Sequence, residues 1–176
     1  METTEKIVEA YVRYINGWFT IPNIKCSGQF EIDLLAFDPN SKKKVNRYHI
    51  ESGVSISSGF SKLNNKPYSK ADLKIRVKTA KQRRTLGYFV ERKFGDENII
   101  KKLAEFGFYP GNYQKVIVTW DWEDDVPAAA RNHNIELWSF MNILKNIAES
   151  TKSGKTYFMD DTMRTLQLMA KATKYH

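Results

Sequence analysis

The sequence predicts an α/β protein with a mixed central sheet flanked by helices. Three observations carry that prediction. Phe30 to Phe37 and Tyr48 to Ile56 read as two strands joined by a polar turn, in which Asp38, Pro39, Asn40 and Ser41 are turn formers. Lys115 to Trp120 (KVIVTW) is a near-continuous apolar run of the kind buried on both faces. It is followed by a short helical stretch and a further strand, Ile135 to Trp138, and strand–helix–strand at this spacing is a crossover that makes two strands parallel.

In chain order, Glu5 to Phe19 fits an amphipathic helix, with Ile7, Val8, Tyr11, Val12, Ile15, Trp18 and Phe19 recurring at helical spacing. Thr3 or Thr4 is the expected N-cap, and Gly17 closes or weakens the last turn. Thr20 to Lys25 is a short extended segment broken by Pro22. The two strands come next, and after them a polar loop over 57–69. From Lys70 a basic segment begins, whose first part fits a helix with Leu73, Val77 and Ala80 inward. Gly87 is expected to end it, and Tyr88 to Val90 is either a strand or a continuation. Asp96 caps a helix over Glu97 to Phe106, and residues 107–113 form a turn. After KVIVTW come an acidic turn (Asp121 to Asp125), a helix from Val126 to Asn132, the strand at 135–138, a helix from Phe140 to Glu149, a break at 153–155 and a last helix from Phe158 to Lys174.

Composition narrows the function. The chain has 176 residues, 41% hydrophobic and 13% aromatic, the make-up of one folded domain over 1–176. A single cysteine, Cys26, excludes an internal disulfide and a cysteine-rich zinc site, and is expected to be a small core or strand-edge residue. The three histidines (His49, His133, His176) stand at no metal-ligand spacing. No apolar run approaches the length of a membrane span, and the N-terminus lacks the basic-then-apolar pattern of a secretory signal, so a cytoplasmic protein without a membrane partner is expected. There is no Gly-rich phosphate loop and no Ser-His-Asp elbow, and the carboxylates at 123–125 read as solvated loop.

Net charge is +8, unevenly spread. Residues 42–93 hold 15 Lys and Arg against 3 acids, a balance of +12, while the rest of the chain carries −4. A basic middle on a mildly acidic protein points to a polyanion partner, most often DNA or another nucleic acid. Lys42, Lys43, Lys44 and Arg47 crowd the turn between the strands, and Lys74, Lys78, Lys81 and Arg84 stand about one turn apart on the basic helix, where they can track phosphates.

Each of the two strands also carries a carboxylate in apolar company: Asp33 in EIDLLA and Glu51 in YHIESGV. An ionised carboxylate is costly to bury unless a cation, a metal or hydrogen bonds compensate it. Two of them on paired strands suit a hard divalent cation such as Mg²⁺ or Mn²⁺, which takes oxygen ligands.

With these residues in this order the chain resembles the PD-(D/E)XK nuclease superfamily, the restriction-endonuclease-like fold, in its Mrr-like and archaeal Holliday-junction-resolvase flavour. The resemblance runs over about 5–140, with the helices of 140–174 beyond it. Glu5 precedes IVEAYV, SGQFEID supplies Gly28 and Asp33, HIE supplies Glu51, and VIVTW and NIELW match the later core. It implies a metal-dependent DNA endonuclease in which Asp33 and Glu51 bind Mg²⁺ or Mn²⁺, with Glu5 as an additional ligand. It also implies a homodimer, the assembly many relatives of this fold form. One position departs from the pattern. The family's lysine falls two residues after the glutamate, and here that residue is Gly53. Either a lysine arrives from elsewhere, with Lys78 or Lys81 as the expected catalytic donor, or the site is degenerate and the protein is a nuclease-fold module that binds nucleic acid without cutting. A third reading is an interaction domain whose basic face meets an acidic protein.

Overall fold

A computed structural model describes residues 2–42, 45–54, 62–68, 84–152 and 156–173. The chain is α/β: a five-stranded mixed sheet carries helices on both faces. The strands are β1 (Phe19–Lys25), β2 (Glu31–Phe37), β3 (Arg47–Ser52), β4 (Tyr113–Thr119) and β5 (Ile135–Ser139), in the spatial order of the sequence. The first three form an antiparallel meander, and β3–β4 and β4–β5 are parallel. The parallel β4–β5 pair is the crossover expected from KVIVTW and IELW, bridged by α4 (Val126–Asn132).

One face of the sheet is covered by α1 (Thr3–Ala10) with the turn that follows it, α5 (Phe140–Thr151) and α6 (Asp161–Ala172), which bury Val8, Val12, Phe140, Ile143, Ile147 and Met163 against Leu34, Ile50, Val116 and Val118. The alternate residues of the same strands point the other way. There Ile117 packs with Leu63, Leu86, Phe89, Phe94, Val126 and Ala130, while Leu35 packs with Ile99 and Leu103 of α3 (Glu97–Glu105). That second face is where Asp33 and Glu51 look, because they share strand parity with Leu35 and with His49.

Several local expectations change. The first helix does not run to Phe19: α1 passes into a π-helical turn over Tyr11–Ile15, and Phe19 already belongs to β1. Its N-cap is Glu2 rather than Thr3 or Thr4; the backbone N–H of Glu2 donates to Oε2 of Glu5 (2.8 Å), and Thr4 turns inward toward the carbonyl of Val54. The segment 20–25 is a full partner strand, and Pro22 is tolerated in it because β1 lies at the sheet edge. Strand β3 ends at Ser52, before Val54. Gly87 does not end a helix. It lies inside α2 (Leu86–Tyr88), which continues as a π-helical stretch over Phe89–Phe94. A Cβ at Gly87 would stand 2.5 Å from the backbone nitrogen of Tyr68, so glycine there permits a close crossing of two chain segments. The last helix begins at Asp161, capped by Asp160, and not at Phe158.

Candidate active site

Strand pairing places Asp33 and Glu51 side by side. Leu34 faces Ile50 and Leu35 faces His49, so the register carries Asp33 to Glu51 at the end of the pair. Glu51 is fully buried and Asp33 is 8% exposed. Both oxygens of each carboxylate have work. Oδ2 of Asp33 accepts from the backbone N–H of Ser52 (2.8 Å), and Oδ1 accepts from Nζ of Lys93 (3.0 Å). Oε2 of Glu51 is ion-paired with the same Nζ at 2.5 Å. Its Oε1 lies 2.6 Å from Nε2 of His49 and 3.4 Å from the backbone nitrogen of Asp33.

Lys93 is the residue that closes the site. It comes from the π-helical stretch that follows α2, whose Phe89 and Phe94 are both 2% exposed and press on the sheet. A π turn bonds i to i+5, so Phe89 and Phe94 share a face and Lys93, between them, is carried in toward the acids. Nζ also donates to the carbonyl of Glu31 (3.2 Å). The position where the resemblance expects a lysine is closed by the same helix: a Cβ on Gly53 would lie 2.9 Å from Cζ of Phe89.

The electrostatics follow from one positive charge set against two buried negative ones. Burial, and then the charge of Glu51, push the carboxyl of Asp33 up to about 7. Burial likewise raises Glu51 above the ordinary carboxylate range, opposed by Lys93. The two carboxylates hold the ammonium of Lys93 well above its usual value in spite of its burial, so it stays protonated. Burial, with Lys93 and Lys115 nearby, drives the imidazole of His49 down to about 3, so it is neutral. Glu5, half-buried at the start of α1, is raised by burial and by the charge of Asp33.

Of the residues picked from sequence, Asp33 and Glu51 come together, and Glu5 feels the charge of Asp33 while its Oε2 accepts from the backbone N–H of Glu2. Lys43, Lys44, Lys74, Lys78 and Lys81 lie outside the described residues. Lys42 is exposed, and Arg47 lies over the ring of Phe37 at 5.7 Å. That hairpin end is four residues along β2 from Asp33, about 13 Å at ~3.3 Å per residue. Arg84 is 4% exposed, with both terminal guanidinium nitrogens buried and no hydrogen-bond partner for either among the described residues.

Two residues escaped the sequence reading, and each left a signal. Lys93 falls seven residues after Leu86 and four after Phe89, inside an apolar helical stripe where a lysine is out of place. His49 sits two residues before Glu51 and therefore on the same strand face.

The donor set suits a hard cation. Asp33 and Glu51 offer carboxylate oxygens converging on one point, now shared by a single ammonium, and the buried cluster is short of positive charge. Among the described residues no three His, Cys, Asp or Glu side chains gather closely enough to cage a metal by themselves. Mg²⁺ does not require such a cage: it is commonly held by one or two carboxylates, with water and substrate phosphate completing the shell. Among the described residues no helix is long and apolar enough to cross a membrane. No family model, curated protein or solved structure matches the chain.

Proposed function

We propose that this chain is a metal-dependent endonuclease of the PD-(D/E)XK type, built on a restriction-endonuclease-like sheet and hydrolysing phosphodiester bonds of DNA. The observation that carries the reading is the ammonium of Lys93 against Asp33 Oδ1 and Glu51 Oε2. The pattern's lysine is missing from position 53, and another lysine lies against the same two acids by way of a neighbouring helix. The antiparallel hairpin followed by two parallel strands also agrees with this reading.

In it, Asp33 and Glu51 hold Mg²⁺ or Mn²⁺, with Glu5 as a further acid beside them. The bound ion would supply an acidified water and stabilise charge on the phosphate. Lys93 acts as a fixed positive charge and hydrogen-bond donor to a phosphate oxygen or to the attacking water. It is not the base, because its two carboxylate neighbours keep it protonated. Burial of the carboxylates keeps the local dielectric low and makes each of these charges count for more than in water.

The competing reading is the module that binds nucleic acid without cutting. It drew its support from Gly53; Lys93 against the same two acids favours the cutting reading instead. One experiment separates them: labelled duplex, branched and single-stranded DNAs incubated with Mg²⁺, Mn²⁺ or EDTA, using the wild type and Asp33→Ala. Metal-dependent cutting that Asp33→Ala abolishes is the expected result. Equal, salt-sensitive binding by both proteins with no cutting would overturn it in favour of a binding module.

A further inference from the structure

Glu51 has two oxygens that face different surroundings. Oε2 looks outward to Lys93. Oε1 looks inward, 2.6 Å from Nε2 of a histidine that is wholly buried. That histidine is held in its plane by neighbours. The ring of Phe94 meets it edge-on with centroids 4.9 Å apart, and Tyr113 lies at 6.3 Å. The imidazole therefore has little freedom to turn, and neither has the carboxylate it grips.

We propose that His49 is the positioning residue of the site: its Nε2–H donates to Oε1 of Glu51 and so keeps Oε2 turned toward the point where Asp33 and Lys93 converge. The tautomer follows from the geometry. A bare Nε2 at 2.6 Å from an ionised oxygen would set lone pair against lone pair. The ammonium of Lys93 at 2.5 Å from Oε2 favours the carboxylate form of Glu51, which assigns the shared proton to the ring. The other nitrogen, Nδ1, is buried and finds no hydrogen-bond partner among the described residues. An Nδ1–H there would leave a donor unsatisfied, whereas a bare nitrogen in an aromatic wall leaves only a weak acceptor so. The ring thus serves the carboxylate, with Nε2 taken up by Oε1 of Glu51.

As a role in metal binding this rests on the nuclease reading; as a hydrogen bond that sets the Glu51 rotamer it does not. Its physical basis is general. Partners that orient a ligating carboxylate commonly change metal affinity 10–100-fold when removed.

The test uses the full chain in three forms: wild type, His49→Gln, whose side-chain amide reaches to the same nitrogen position, and His49→Leu. Mn²⁺ binding is measured by calorimetry, and crystal structures of the metal-free proteins give the Glu51 rotamer. The expected result is Mn²⁺ affinity within about 3-fold of wild type for His49→Gln and at least ~10-fold weaker for His49→Leu, with Oε2 of Glu51 leaving Lys93 only in the leucine variant. Wild-type affinity in a folded His49→Leu overturns the proposal, as does a glutamine variant as impaired as the leucine one. If the leucine variant does not fold, ¹⁵N NMR of the wild-type imidazole decides. A proton on Nε2 with Nδ1 bare is required, and the opposite tautomer overturns the assignment. A wild type that binds no Mn²⁺ removes the metal reading, while the rotamer and the tautomer still decide the role of His49.

Discussion

Phe89 stands directly over Gly53: a side chain starting there would meet its ring at 2.9 Å. Four residues further along the same helical stretch, Lys93 arrives at the carboxylate pair. The absence of a side chain at 53 and the delivery of a lysine from the helix are thus one packing decision. The helix can lie close enough for Lys93 to reach because nothing at 53 holds it off.

Gly53→Ala should therefore disturb the site by displacing the helix. Forcing one methyl into this contact is expected to destabilise the protein by about 1–3 kcal/mol. Trimming the ring with Phe89→Leu should offset part of that loss, so the two substitutions are non-additive in urea unfolding. Strict additivity would mean that the contact is slack.

Lys93→Met keeps the apolar stem and removes the charge. The proposed cleavage of DNA should fall by at least ~10²-fold, in the range lost with one preorganised charge-stabilising donor. Mn²⁺ should still bind, at least as tightly as in wild type, because a like charge has left the proposed cation position. Loss of Mn²⁺ binding along with activity would show that Lys93 acts only through the fold.

Asp33 should make the metal-free protein less stable at alkaline pH. Its carboxyl is raised from an ordinary value of 3.8 to about 7 in the folded state, so between these values the folded chain binds the extra proton. The stabilisation is complete below pH ~4 and is lost as pH rises through ~7. Denaturation midpoints of Asp33→Asn and wild type should accordingly differ little at pH 4. At pH 8 the asparagine variant should be more stable, by an amount on the order of 1–3 kcal/mol. Parallel pH profiles for the two proteins would show that Asp33 titrates normally.

A divalent cation should reverse that weakness. At pH 8, Mn²⁺ at 100 times its dissociation constant should add about 2.7 kcal/mol to wild-type stability. Glu51→Gln, which removes one of the two oxygen donors' charges, should gain little. A thermal shift in Mn²⁺ and in EDTA reads this directly, and an equal gain in both proteins would place the ion elsewhere.

Much of the architecture was legible from local pattern. KVIVTW and IELW announced the parallel pair because β4 is covered by helices on both faces and needs apolar residues throughout. Asp33 and Glu51 stood out because a carboxylate amid apolar strand residues is an anomaly that a purely structural strand avoids. The edge strand was underestimated, since Pro22 reads as a breaker until one knows that its missing N–H faces no neighbour.

What the sequence by itself determined was the pair of acids, the strands that carry them and the parity that turns them to one face. All of that depends on residues two apart or on a single hairpin. The cation that answers the acids was decided only by the tertiary structure. Lys93 is sixty residues from Asp33, and a lysine in a basic stretch looks like every other lysine there. Its selection depends on how closely a helix approaches a strand, and Phe89 lies against the bare Gly53 at that approach. Local sequence encodes which way a side chain points, while packing across the fold decides which side chain it meets.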